Sequence, residues 1–99
     1  MQSVEVVITN PSGLHARPAA LFTRAAGRFG ARITVENLDR GSGPVDAKSI
    51  LMLLTAGVSH GHRIRIAADG PDEEEAIETL VEMLREGLGE GPAASAKTD

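Results

Sequence analysis

The residues with the most chemical capacity stand together near the start of the chain, in Gly13-Leu14-His15-Ala16-Arg17-Pro18. An imidazole and a guanidinium two positions apart, where a strand-like run gives way to a helix, suit a phosphate. A helix start carries N–H groups without an intrahelical partner, together with the positive end of the helix dipole. The backbone N–H groups of Ala16 and Arg17 are therefore placed to meet an anion. Pro18 belongs in a first helical turn, where its missing N–H would have had no partner anyway. A neutral imidazole at His15 has one ring nitrogen with a free lone pair and is a nucleophile. A phosphoryl group on that nitrogen would face the helix end, an interaction worth about 0.3–1 kcal/mol when exposed. Arg17 adds a planar fork of donors matched to phosphate oxygens. An arbitrary His-x-Arg is more simply a pair of solvated side chains near an N-cap, but Gly13 before it and Pro18 after it set this one apart.

The elements that must position these residues show in the hydrophobic pattern. Val4, Val6 and Ile8 alternate with Glu5 and Thr9, a first strand with one buried face, and Asn10-Pro11-Ser12-Gly13 ends it as a loop. A helix follows from about Ala16 to Arg28, with Ala19, Phe22, Ala26 and Phe29 at helical spacing and Gly27 or Gly30 at its exit. Ile33 and Val35 alternate with Arg32, Thr34 and Glu36 in a second strand. The Gly-, Ser- and Asp-rich stretch from Asn37 to Pro44 then turns into a short third strand near Val45. Gly41-Ser42-Gly43 lacks the spacing and the following Gly-Lys-Ser/Thr of a phosphate-cradling loop.

Ser49 reads as the N-cap of Ile50-Leu51-Met52-Leu53-Leu54, with Gly57 closing the segment. Consecutive apolar residues at about 100° each cover every direction around a helix. The run is thus either a helix buried all round or a central strand, and the pattern leaves both open. His62 to Ala68 is the last strand, Ile64 and Ile66 inward and Arg63 and Arg65 outward. His60 and His62 share strand parity, yet with no cysteine and no carboxylate at ligand spacing they read as solvated side chains rather than a metal site. Asp69-Gly70-Pro71-Asp72 opens a last helix whose core stripe is Ile77, Leu80, Val81, Leu84 and Leu88, with Ala76 flanking and Glu73 to Glu75 a solvated first turn.

At 99 residues with no internal linker, the chain reads as one domain over residues 1–90, and residues 91–99 as a disordered tail. The absence of cysteine removes disulfide scaffolds, thiolate metal sites and cysteine nucleophiles, and fits a reducing cytoplasm. The start lacks a basic region and a long apolar run, so neither a signal peptide nor membrane insertion is expected. A net charge of −4 and two phenylalanines as the only aromatics argue against nucleic acid.

Gly-Leu-His-Ala-Arg-Pro-Ala-Ala resembles the active-site signature of HPr, the histidine-containing phosphocarrier family of the bacterial phosphoenolpyruvate:sugar phosphotransferase system. The similarity continues in order through Lys48-Ser49-Ile50, Gly61, Ile64-Arg65-Ile66 and Asp69-Gly70, and covers Val4 to about Glu90. The resemblance implies an α+β fold: an open-faced β-sandwich of βαββαβα order, a four-stranded antiparallel sheet with three helices on one face. It also resolves the apolar run as a short helix with an exposed side, whose Ile50, Leu51 and Leu54 dock partners.

By the same resemblance, His15 takes a phosphoryl group on Nδ1 from phosphorylated enzyme I and hands it to a histidine on a sugar-specific enzyme IIA. Arg17, the Ala16 and Arg17 N–H groups and Pro18 form its surroundings. The protein is then a monomeric carrier rather than a turnover enzyme, with no cofactor and no metal. Lys48-Ser49-Ile50 is similar to the regulatory serine motif of the family, which brings in an HPr kinase/phosphorylase and a catabolite-control regulator. Two departures stand out: the connection from Asp39 to Pro44 is longer than the family's tight turn, and Leu51 and Leu54 replace frequent methionines. The alternatives are a nitrogen-branch HPr-like signalling paralogue, which keeps the histidine and acts by docking, and a small αβ ligand-binding regulator without phosphochemistry. Catabolite-repression paralogues that lack the histidine are argued against by His15 itself.

Overall fold

The structure is a computed structural model, and residues 1–41 and 43–88 are described. The expected tail at 91–99 and the end of the expected domain lie outside the described residues. The chain runs β1 (Gln2–Val7), α1 (Ala16–Ala26), β2 (Arg32–Asn37), β3 (Pro44–Asp46), α2 (Ile50–Thr55), β4 (Arg63–Asp69) and α3 (Glu73–Arg85). The strands form one sheet in the order β1-β4-β2-β3, every neighbouring pair antiparallel.

Register follows from burial. Val4 and Val6 of β1 lie opposite Ile66 and Ile64 of β4, which lie in turn opposite Val35 and Asn37 of β2. A slip of one residue would turn every one of these to the other face. That apolar face packs on the helices through Ala19, Phe22 and Ala26 of α1, Leu53 of α2, and Ala76, Ile77, Leu80 and Leu84 of α3. Removing a side chain of Leu or Ile size from water contributes about 1.5–3 kcal/mol, and such residues supply most of this core. The opposite face is open and polar. At its centre the Arg65 guanidinium lies 3.1 Å from Glu5 and 3.5 Å from Glu36, joining three adjacent strands.

Several boundaries differ from those the pattern predicts. The first helix ends at Ala26, and Phe29 is only partly buried beyond it. The last strand begins at Arg63 rather than His62. The last helix stops at Arg85; Leu88 still reaches the core, through a left-handed turn at Gly87 (φ 82°) and Leu88 itself (φ 52°). Glu73 is only partly exposed. Its carboxylate accepts the Gly70 N–H at 3.0 Å and lies 3.1 Å from the N-terminal ammonium, while Glu74 and Glu75 are exposed. The Gly70 N–H, then the ammonium, hold the Glu73 carboxyl below its ordinary value.

Candidate functional site

The loop between β1 and α1 brings His15 to the surface. Gly13 adopts φ 61°, which a side chain disfavours, and has no room for one: a Cβ there would come within 2.4 Å of the Val58 carbonyl oxygen and 2.7 Å of Ser59 Cα. The loop is fastened on both sides of this contact. Asn10 Nδ2 donates to the Gly13 carbonyl at 2.7 Å, and the Leu14 N–H donates to the Val58 carbonyl at 3.0 Å. Leu14 then buries its side chain completely. With Leu14 inward, His15 is left half-buried at the N-cap of α1, in extended conformation (φ −121°, ψ 154°) and with no side-chain capping bond. The ring is available for chemistry rather than used to cap the helix.

The helix starts irregularly. Ala16 has φ 50°, in the left-handed region that residues with a Cβ rarely occupy, which the sequence pattern does not reveal. Arg17 is exposed and forms no ion pair among the described residues. Pro18 is buried in the first turn. The expected group of His15, Ala16, Arg17 and Pro18 is thus one continuous helix start. It presents a ring, a guanidinium and free helix-end amides toward solvent, an arrangement suited to an anion on the imidazole.

Ser49 caps α2: its Oγ accepts the Met52 N–H at 3.3 Å. The helix that follows is only six residues long and buries Leu53 alone. Ile50, Leu51 and Leu54 are exposed, as the resemblance implies, and so is Met52, which that expectation leaves out; Leu51 is the most open at 70%. Gly57, at φ 61°, ends the element. A cleft of about 480 Å³ beside Arg32, Thr34, Val45 and Lys48 involves no residue of the His15 loop. Among the described residues no group of three or more His, Asp or Glu side chains is placed to hold a metal ion, and no helix is long and apolar enough to cross a membrane.

The family described as "PTS HPr component phosphorylation site" matches residues 2–86, which take in the whole site. The chain belongs to the HPr family. It is 44% identical over 87 residues to a multiphosphoryl transfer protein of Haemophilus influenzae, covering 88% of this chain and 17% of that protein. A Vibrio cholerae multiphosphoryl transfer protein is 43% identical over 84 residues, covering 85% of this chain and 21% of that protein. The chain thus spans about a fifth of the length of these curated relatives. Among solved structures, HPr-C-His from Thermoanaerobacter tengcongensis superposes with a TM-score of 0.85 at 44% identity, covering 91% of this chain and 98% of that one. Phosphocarrier protein HPr from Bacillus anthracis gives 0.78 at 38%, covering 84% and 95%. The open-faced sandwich of HPr structures is the fold of this chain.

Within this HPr fold the pattern reading missed the polar residues that support the site. His62 is not a solvated side chain; its Nδ1 accepts the Ser59 N–H at 3.0 Å, whereas His60 is exposed. Asn37 is fully buried at the end of β2, and Asn10 is fully buried in the loop. Both asparagines fall in stretches rich in turn residues, where Asn is unremarkable, so only parity flags Asn37: it follows Ile33 and Val35 on the inward face. The connection after Asn37 is fixed at its start, since Asp39 Oδ2 accepts the Arg63 N–H at 2.8 Å.

Proposed function

We propose that this chain carries phosphoryl groups on His15, taking them from phosphorylated enzyme I and passing them to a histidine of a sugar-specific enzyme IIA. The observation that carries the reading is the His15 ring at the N-cap of α1, bonded to nothing as a cap and flanked by the exposed Arg17. The Nδ1 lone pair attacks phosphorus, the bond from phosphorus to the donor breaks, and its electron pair leaves with the donor. The reverse sequence delivers the group onward. Arg17 and the helix-end amides meet the phosphate oxygens. A carrier must hold its group mildly, because about 1.4 kcal/mol of extra stabilisation shifts the relay equilibrium tenfold. An open helix end with one arginine is mild in this sense. The protein serves as a substrate of two enzymes in turn, and the exposed Ile50, Leu51, Met52 and Leu54 of α2 offer them an apolar surface.

The test is intact mass after incubation with phosphoenolpyruvate and enzyme I. The chain is expected to gain one acid-labile, base-stable phosphoryl group, and His15→Ala to gain none while keeping its fold. Full incorporation by His15→Ala would overturn the assignment. Delivery of the group to a sugar-system enzyme IIA separates this reading from a nitrogen-branch relay, which would deliver only to its own acceptor. Ser49 is the proposed regulatory site, for a kinase/phosphorylase acting on the Lys48-Ser49-Ile50 motif.

A further inference from the structure

Two polar side chains outside the His15 loop are built into its support. The Oδ1 of the buried Asn37 accepts the backbone N–H groups of Asp39 at 3.1 Å and Arg40 at 3.3 Å. Backbone N–H groups only donate, so the amide orientation is fixed and Nδ2 faces the other way. There Nδ2 donates to the Ala56 carbonyl at 3.0 Å and the Gly57 carbonyl at 3.3 Å, and lies 3.1 Å from His62 Nδ1. The same Nδ1 accepts the Ser59 N–H at 3.0 Å. A ring nitrogen that accepts carries no hydrogen, so a neutral His62 is the Nε2–H tautomer, and one lone pair serves two donors.

The turn held in this way is the surface on which the His15 loop rests. Val58 and Ser59 meet Gly13 too closely for a Cβ, and the Leu14 N–H donates to the Val58 carbonyl. The His62 backbone also fastens the end of the first strand. Ile8 donates its N–H to the His62 carbonyl at 2.9 Å, and its own carbonyl accepts the Gly61 N–H at 2.8 Å. The path to the reacting ring is short: the His62 ring fixes Ser59, Val58 and Ser59 carry Gly13 and Leu14, and His15 comes next.

We propose that His62, through its Nδ1 acceptor, is a positioning residue for His15, setting the height of the loop on which the phosphoryl group is received. The proposal rests on the reading of His15 as the phosphate acceptor. Without the acceptor, the Ser59 N–H loses its partner while the Asn37 amide keeps the Ala56 and Gly57 carbonyls, and the Val58–Ser59 turn is free to shift under Gly13. Transfer between two oriented groups is sensitive to displacements of about 1 Å. The loss therefore falls on the rate of transfer more than on the fold.

The experiment compares His62→Leu, which keeps bulk without an acceptor, with His62→Asn, whose amide oxygen can stand near the position of Nδ1. Three quantities are read on the full chain: the transfer rate from phosphorylated enzyme I at saturation, the KM for this chain in that reaction, and amide hydrogen exchange at Ser59 and Leu14. His62→Leu is expected to slow transfer about tenfold with KM nearly unchanged and faster exchange at both amides, and His62→Asn to restore all of these. Wild-type transfer and exchange in a folded His62→Leu would overturn the proposal, as would an equal loss in a folded His62→Asn. If His62→Leu does not fold, nitrogen-15 spectra of the unsubstituted chain decide: a neutral His62 ring with the proton on Nδ1 overturns the proposal, and one with the proton on Nε2 supports it. If the unsubstituted chain takes no phosphate, the reading of His15 fails, while exchange at Ser59 and Leu14 still reports whether His62 holds the loop.

Discussion

Arg17 contributes shape as well as charge. Its guanidinium is exposed and outside every ion pair among the described residues, so the folded chain makes no demand on it. Arg17→Lys keeps the charge and loses the planar fork. Transfer to enzyme IIA should slow while the thermal midpoint stays within about 2–4 °C, since surface substitutions of this kind usually change stability by less than about 0.5 kcal/mol. Stopped-flow transfer rates and calorimetry check both halves. An unchanged rate for Arg17→Ala would show that the helix end alone holds the phosphate. The neighbouring Ala16, at φ 50°, could not have been singled out from the sequence, because alanine at a helix start is ordinary.

The loop before α1 depends on one missing side chain. Gly13→Ala would put a Cβ against the Val58 carbonyl at 2.4 Å, with φ 61° disfavouring any Cβ. The expected cost is about 2 kcal/mol or more, with slower transfer because the loop must lift. Urea denaturation and the phosphorylation rate should change together, and a variant of native stability would show that the loop yields freely. Ser49 holds the corresponding place at the start of α2. Ser49→Ala removes the bond from the Met52 N–H and should cost about 1 kcal/mol. Ser49→Asp keeps a capping oxygen but sets a negative charge beside Ile50 and Leu51, so phosphorylation of His15 by enzyme I should slow with stability largely retained. Equal rates for Ser49→Asp and the unsubstituted chain would leave the serine as a cap alone.

Over the whole molecule, long-range polar ties close the fold where the apolar core does not reach. Asp72, at the start of α3, makes no cap of its own helix; its carboxylate accepts the Gly30 N–H at 2.8 Å and the Ala31 N–H at 2.9 Å, joining α3 to the exit of α1. Lys48 Nζ reaches the same exit, donating to the Phe29 carbonyl at 2.6 Å. The Gly30 N–H, followed by that of Ala31, holds the Asp72 carboxyl below its ordinary value of 3.8. A carboxyl depressed in the folded state adds stability that is fully present above its unfolded value and is lost as pH falls through the folded one. Glu73, also depressed, acts in the same direction. Asp72→Asn should therefore lower the thermal midpoint at pH 7 and make its fall below about pH 4 shallower, with Glu73 leaving some slope. An acid limb as steep as that of the unsubstituted chain would show that Asp72 does not titrate through this contact.

The alternation of Val4, Val6 and Ile8, of Ile33 and Val35, and of Ile64 and Ile66 determined the strands and their inward face, because a period of two is a property of the chain itself. The Gly-Leu-His-Ala-Arg-Pro stretch likewise determined where the proposed chemistry lies and which helix end stands beside it. Helix or strand for Ile50 to Leu54 was not determined by periodicity, since a short run that is apolar throughout has none; the outcome is a cap at Ser49 and a helix that buries only Leu53. What supports His15 was decided by tertiary structure alone. Asn10, Asn37 and His62 are ordinary residues of turns and strand ends by local criteria. They bear on the site because antiparallel pairing of β4 with β1 and β2 brings the ends of those strands beside the turn at Val58 and Ser59. A buried amide must find its partners wherever the fold places them, and those partners lie some twenty residues away in sequence.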